Sequence, residues 1–100
     1  MSVRRPLTPE ELHRQLEFLA AWTLDGSSLL RTSVFPTFDA LIEAVNEIAI
    51  VAEELDHHPD LDIRWRTLTV RLTTHSAGAI TQLDIESAHR IDACIRAEGG

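Results

Sequence analysis

Apolar residues recur along the chain with two alternating periods, and the switches between them mark out successive elements. Thr8-Pro9-Glu10-Glu11 opens the first. Thr8 can cap a helix, Pro9 suits its first position, and Glu11 completes a capping box. Leu12, Leu16 and Leu19 then share one helical face, which predicts a helix fading near Ala21. Alternation takes over at Trp22-Thr23-Leu24, ahead of the turn signal Asp25-Gly26, and residues 29–35 resume as a second extended run. Pro36 closes this hairpin, because proline has no N–H to give a strand ladder.

Thr37 begins the longest predicted helix. Its apolar stripe is Phe38, Leu41, Ile42, Val45, Ile48, Ala49, Ala52 and Leu55, and its opposite face holds Glu43, Asn46, Glu47, Glu53 and Glu54. Ile50 stands among those polar residues, either as an ordinary single exposed hydrophobe or as a subunit contact. Pro59 bars continuation, residues 60–62 form a connection, and Ile63-Arg64-Trp65 is a short extended piece. Residues 67–74 alternate strictly, with Leu68, Val70 and Leu72 on one side, so a second hairpin is predicted around Arg66. Gly78 breaks that pattern. Thr81-Gln82-Leu83-Asp84 repeats the capping signal, and Ile85, Ala88, Ile91 and Ile95 form a last helical stripe. The order α-β-β-α-β-β-α predicts an α+β domain: a single four-stranded antiparallel sheet covered on one face by helices. At 100 residues, the chain 1–100 is read as one domain.

Charge narrows the function. Nine basic residues, all arginine, face sixteen acidic ones, for a net charge of −7. Binding to a polyanion requires clustered positive charge. Only Arg4-Arg5 and the set Arg64, Arg66 and Arg71 approach that, so no direct nucleic-acid partner is expected. There is no 18-residue apolar run, so no membrane partner is expected. Cys94 is the single cysteine and has no disulfide partner within the chain, which fits a reducing, cytoplasmic setting, and no signal peptide is read.

The histidines are the candidates for chemistry. His57 and His58 end the long helix, His75 ends the clearest strand, and imidazole suits proton transfer near neutral pH. Glu53 lies four residues before His57, where it can share a helix face and orient the ring. Each residue also has a plainer reading. A His-His pair can be a polar helix terminus, Asp84 a cap, Trp65 a core side chain and Glu53 a solvated charge. His13 and His89 read as surface residues. A metal site is not expected: there is no His-Glu-x-x-His and no cysteine cluster. Nucleophilic catalysis lacks its signals too, since no serine sits in a Gly-x-Ser-x-Gly elbow.

The run Glu53-Glu54-Leu55-Asp56-His57-His58-Pro59, followed by Trp65, His75 and Asp84, resembles the signature of the pterin-4a-carbinolamine dehydratases. Early Trp22 and the element order extend the resemblance over residues 8–96. Leu61 stands where an aromatic is frequent, and Ala79 where a second glycine is common; both bear on the pocket rim or its loop. The resemblance implies dehydration of 4a-hydroxytetrahydropterin to quinonoid dihydropterin, which recycles the cofactor of aromatic amino-acid hydroxylases. It implies no resident cofactor, the pterin being the substrate. His57 and His75 would be the main acid/base pair. His58 would assist or position the pterin, with Glu53 orienting His57. Pro59, Trp65, Thr74 and Asp84 would bind substrate. The resemblance also implies a homodimer or homotetramer. Some animal members stabilise dimers of a transcription factor, so a non-catalytic interaction module, with contacts at Ile50, is the alternative.

Overall fold

The computed structural model describes residues 3–100. Helix α1 spans Pro9–Leu16, followed by strands β1 (Thr23–Asp25) and β2 (Ser28–Val34). Helix α2 spans Phe38–Leu55, and strands β3 (Asp60–Arg64) and β4 (Thr67–Leu72) follow. A 3-10 turn at His75–Ala77 then leads into α3 (Gln82–Ala97). The sheet runs β1-β2-β4-β3, antiparallel throughout. The element order and the α+β class agree with the sequence pattern.

The alternation along β4 explains the layering. Leu68, Val70 and Leu72 are buried beneath α2 and α3, together with Leu29 of β2. On the uncovered face, the Thr32 and Thr69 hydroxyls meet at 3.2 Å and Arg71 reaches Asp25 at 2.7 Å. In the central strands β2 and β4 the helix-covered side thus excludes water, while polar pairs cross the other side. No helix among the described residues is long and apolar enough to cross a membrane.

Several local predictions shift. Residues 60–62, expected as a connection, open β3, because Asp60 pairs with Arg71 and Asp62 with Thr69 of β4. The capping box at Thr8 and Glu11 forms, with the Thr8 N–H donating to Glu11 at 2.8 Å. However, α1 ends at Leu16 instead of fading near Ala21. The N–H groups of Glu17, Phe18 and Leu19 bond three residues back. That tightening turns the chain so that Leu19 and Trp22 enter the core. In the first hairpin, Asp25 pairs with Ser28, so the loop is Gly26-Ser27, with Gly26 supplying φ of +60°. In α2, the buried line is Leu41, Ala44, Ile48, Val51 and Ala52, while Phe38 and Ala49 are exposed. Ala44 and Val51 face the core because α3 packs along that side of α2.

Trp65 departs furthest from a core reading. It is 71% exposed at the two-residue tip of the β3–β4 hairpin, with φ of +53°. The Arg66 guanidinium lies 4.3 Å over its ring. Because Arg64 pairs with Thr67, residues 65 and 66 must make the reversal, and the indole leaves the ladder with them.

Candidate active site

The site forms where the end of α2 meets the end of β4. Helix α2 stops at Asp56, which takes φ of +49°, a left-handed conformation that Asp tolerates better than most residues. The His57 N–H closes the helix onto the Ala52 carbonyl at 3.0 Å. The reversal sends the two adjacent histidines to opposite environments. His57 is buried and His58 is exposed.

Inward, His57 Nε2 meets Asp84 Oδ1 at 2.5 Å. Asp84 lies at the start of α3 and is completely buried. Its Oδ2 accepts the Thr81 N–H at 2.9 Å and the Thr74 hydroxyl at 2.8 Å. A carboxylate only accepts, so Nε2 carries the proton of a neutral His57 and Nδ1 keeps the lone pair. The capping reading of Asp84 and its place beside a histidine are therefore both realised, one by each carboxylate oxygen.

Outward, Glu53 pairs with His58 at 2.5 Å, both side chains well exposed. Sequence spacing paired Glu53 with His57. The helix ends first, so the four-residue relation is lost and the turn at Asp56 brings the next imidazole to Glu53. His75 opens the 3-10 turn, is exposed, and accepts the Gly78 N–H on its carbonyl at 3.1 Å. Gly78 permits this turn by adopting φ of +61°.

The three imidazoles and Thr74 line one cleft of about 250 Å³. Arg4, Asp56, Thr73 and Ser76 complete its wall. Arg4 arrives on the N-terminal segment, which is held by the Leu7 N–H to the Ile80 carbonyl (3.0 Å), and its guanidinium donates to the Asp56 carbonyl at 3.3 Å. None of these four was expected from the sequence as a site residue. Asp56 alone had a signal, as a left-handed-tolerant residue directly before His-His-Pro. Pro59 is half-buried next to His58 and outside the cleft lining, and Trp65 lies at the far hairpin tip. Asp84 sits beneath the cleft and reaches it through His57 and Thr74, which both line it. Among the described residues, no group of three or more His, Cys, Asp or Glu is disposed to hold a metal ion. Cys94 is buried in the core, where burial and then Glu47 push its thiol up, away from the reactive thiolate.

This arrangement can exchange protons with a flat polar molecule at several points. Known proteins are similar to the chain over most of its length. The family model for pterin 4 alpha carbinolamine dehydratase matches residues 5–94. A Mycobacterium tuberculosis protein, provisionally named as a pterin-4-alpha-carbinolamine dehydratase, is 52% identical over 87 residues, covering 87% of this chain and 93% of its own. A Roseiflexus protein of the same provisional name is 43% identical over 86 residues, covering 86% of this chain and 92% of its own. The crystal structure of a transcriptional coactivator/pterin dehydratase from Brucella melitensis superposes with a TM-score of 0.87 at 32% identity, over 91% of this chain and 99% of that one. A pterin dehydratase-like protein identified as a RuBisCO assembly factor in the alpha-carboxysome has a TM-score of 0.61 at 17% identity, over 74% of this chain and 86% of that one, which is a likeness of fold. By family model, sequence and structure together, the chain belongs to the pterin 4 alpha carbinolamine dehydratase family.

Proposed function

We propose that this protein dehydrates a 4a-hydroxytetrahydropterin to the quinonoid dihydropterin and water, recycling the pterin cofactor of aromatic amino-acid hydroxylases. The observation that carries this reading is the convergence of His57, His58 and His75 on one cleft, with carboxylates behind the first two. In the reaction the C4a–O bond breaks. One imidazole gives a proton to the departing hydroxyl, and another takes a proton from a ring nitrogen. Protons therefore balance without a resident cofactor or metal, the pterin being the substrate. His57 and His75 form the acid/base pair, and His58, held by Glu53, assists or positions the ring. Thr74 and the His75 backbone line the flat face; Pro59 and Trp65, expected there from the resemblance, lie outside the cleft and take no part in holding the ring. Asp84 acts from behind His57. The protein works in the cytoplasm as a homodimer or homotetramer, without nucleic-acid or membrane partners.

A second reading rests on Ile50, which is 60% exposed on α2. It makes the same fold a protein-interaction module. The test supplies 4a-hydroxytetrahydropterin in situ from a hydroxylase and follows quinonoid dihydropterin by absorbance. His57→Ala and His75→Ala should each lower turnover on the order of 10²-fold or more. Wild-type rates in either variant remove that residue from the mechanism. An interaction module would tolerate both changes and fail with Ile50→Glu.

A further inference from the structure

Asp84 never touches the cleft, yet three donors meet it, and two threonines decide how. The Thr74 and Thr81 hydroxyl oxygens lie 2.8 Å apart, so one must donate to the other. Thr74 Oγ1 also lies 2.8 Å from Asp84 Oδ2, which can only accept. Were Thr74 to give its proton to Thr81, two lone pairs would face each other across that 2.8 Å. The order is therefore single: Thr81 O–H to Thr74, then Thr74 O–H to Asp84 Oδ2. The Thr81 N–H occupies Oδ2 as well, at 2.9 Å, which leaves Oδ1 for His57.

We propose that Thr74 and Thr81 are positioning residues: their hydroxyls form a fixed donor chain that holds Asp84 so that His57 keeps its proton on Nε2 and its lone pair on Nδ1. Both threonines are buried, which removes water as a competing partner. Both are also held by the backbone. Thr74 bridges to Ala79 and Thr81 bridges to Pro6 while capping α3. Their β-branched side chains have few rotamers to lose. A donor chain already in place needs no rearrangement when His57 changes protonation, which is the condition for preorganised electrostatic help. Thr74 thus serves the site through its hydroxyl and Asp84 as well as by lining the cleft.

The kinetic consequence rests on the dehydratase reading, whereas the state of the His57 ring does not. The full-length protein is compared with Thr74→Val, Thr81→Val and Thr74→Ser by dehydratase kinetics and by long-range ¹⁵N NMR of the His57 imidazole. Wild type should show the Nε2–H tautomer. Thr74→Val should loosen the Asp84 carboxylate, shift the His57 ring-nitrogen resonances as the Nε2–H bond to Asp84 weakens, and lower kcat about 10-fold, with KM unchanged within about twofold. Thr81→Val leaves all three direct donors to Asp84 in place, so it folds even where Thr74→Val does not; its kcat should fall about threefold. Thr74→Ser should restore both readouts. A folded Thr81→Val or Thr74→Val protein with wild-type kcat and an unchanged His57 spectrum overturns the proposal. An inactive wild type would instead sink the dehydratase reading, and the tautomer spectra would still decide the role of the threonines.

Discussion

Helix α3 carries two buried carboxylates, Asp84 and Asp92, and they can be separated by experiment. Asp92 accepts the Trp22 indole N–H at 2.8 Å and pairs with the Arg31 guanidinium. Arg31 also donates from Nε to Ser33 at 3.1 Å. The Arg31 and Asp92 side chains are each 11% exposed, so the pair is shielded from water. Asp92→Ala leaves a desolvated cation without its anion and a buried indole N–H without an acceptor. Removing one partner of a buried pair costs about 3–5 kcal/mol. Ser33 and the flexible stem of Arg31 allow partial relief, so the low end, about 3 kcal/mol, is expected. That is a large part of a total of about 5–15 kcal/mol. At roughly 4–8 °C per kcal/mol for a domain of this size, Tm should fall about 12–24 °C. Urea unfolding with an unchanged m-value would measure the loss. None of the three partners lines the cleft, so turnover per folded molecule should stay at the wild-type rate. The triple change Trp22→Phe, Arg31→Met and Asp92→Leu removes both groups that Asp92→Ala leaves unpaired, at the cost of the Arg31 donor to Ser33, and should return to within about 1–2 kcal/mol of wild type. A loss below about 1 kcal/mol in Asp92→Ala refutes the buried pair. A triple variant as unstable as Asp92→Ala refutes the argument from unpaired charge.

Asp84→Asn should behave in the opposite way. Its oxygen can still accept from Thr81 and Thr74, so stability should fall by only about 1–3 kcal/mol. Its amide group would face His57 Nε2 and drive the ring proton to Nδ1, lowering kcat on the order of 10²–10⁴-fold; a folded Asn variant within about threefold of wild type contradicts this. At the surface, the Arg5 guanidinium and then the Thr8 N–H pull the Glu11 carboxyl down to about 2 from 4.5. A depressed carboxyl stabilises the fold above its unfolded value and loses that contribution as pH falls from about 4.5 through 2. The urea midpoints of wild type and Glu11→Gln should therefore lie apart at pH 6 and converge near pH 2; a constant gap would exclude the pair as a source of stability.

Much of this molecule follows from local chemistry. Thr8-Pro9 and Thr81 start helices because a cap acts within one turn, and Pro36 and Pro59 stop elements for an equally local reason. The strict alternation of Leu68, Val70 and Leu72 assigns their face of β4 without reference to any partner. Positions that depend on a neighbour were less legible. Ala44 and Val51 are apolar on a helix with several plausible stripes, and only packing against α3 selects the one that is buried. The length of α1 hinged on where Leu19 and Trp22 had to enter the core.

The candidate site shows the same division. Residue types and spacing picked out His57, His58, His75 and Glu53, because imidazoles and carboxylates near element ends are chemically conspicuous, whereas Asp84 read locally as a helix cap and entered the site only through the family resemblance. Sequence alone thus determined the element order, the faces of the clearest elements and the set of groups able to move protons. Tertiary structure decided which of those groups meet. The left-handed turn at Asp56 gave Asp84 to His57 and Glu53 to His58, and the pairing of β3 with β4, Asp60 opposite Arg71, set the end of β4 beside that turn. Arg4 joined the cleft and Trp65 left it because chain reversals and sheet order act over distances that no local period records.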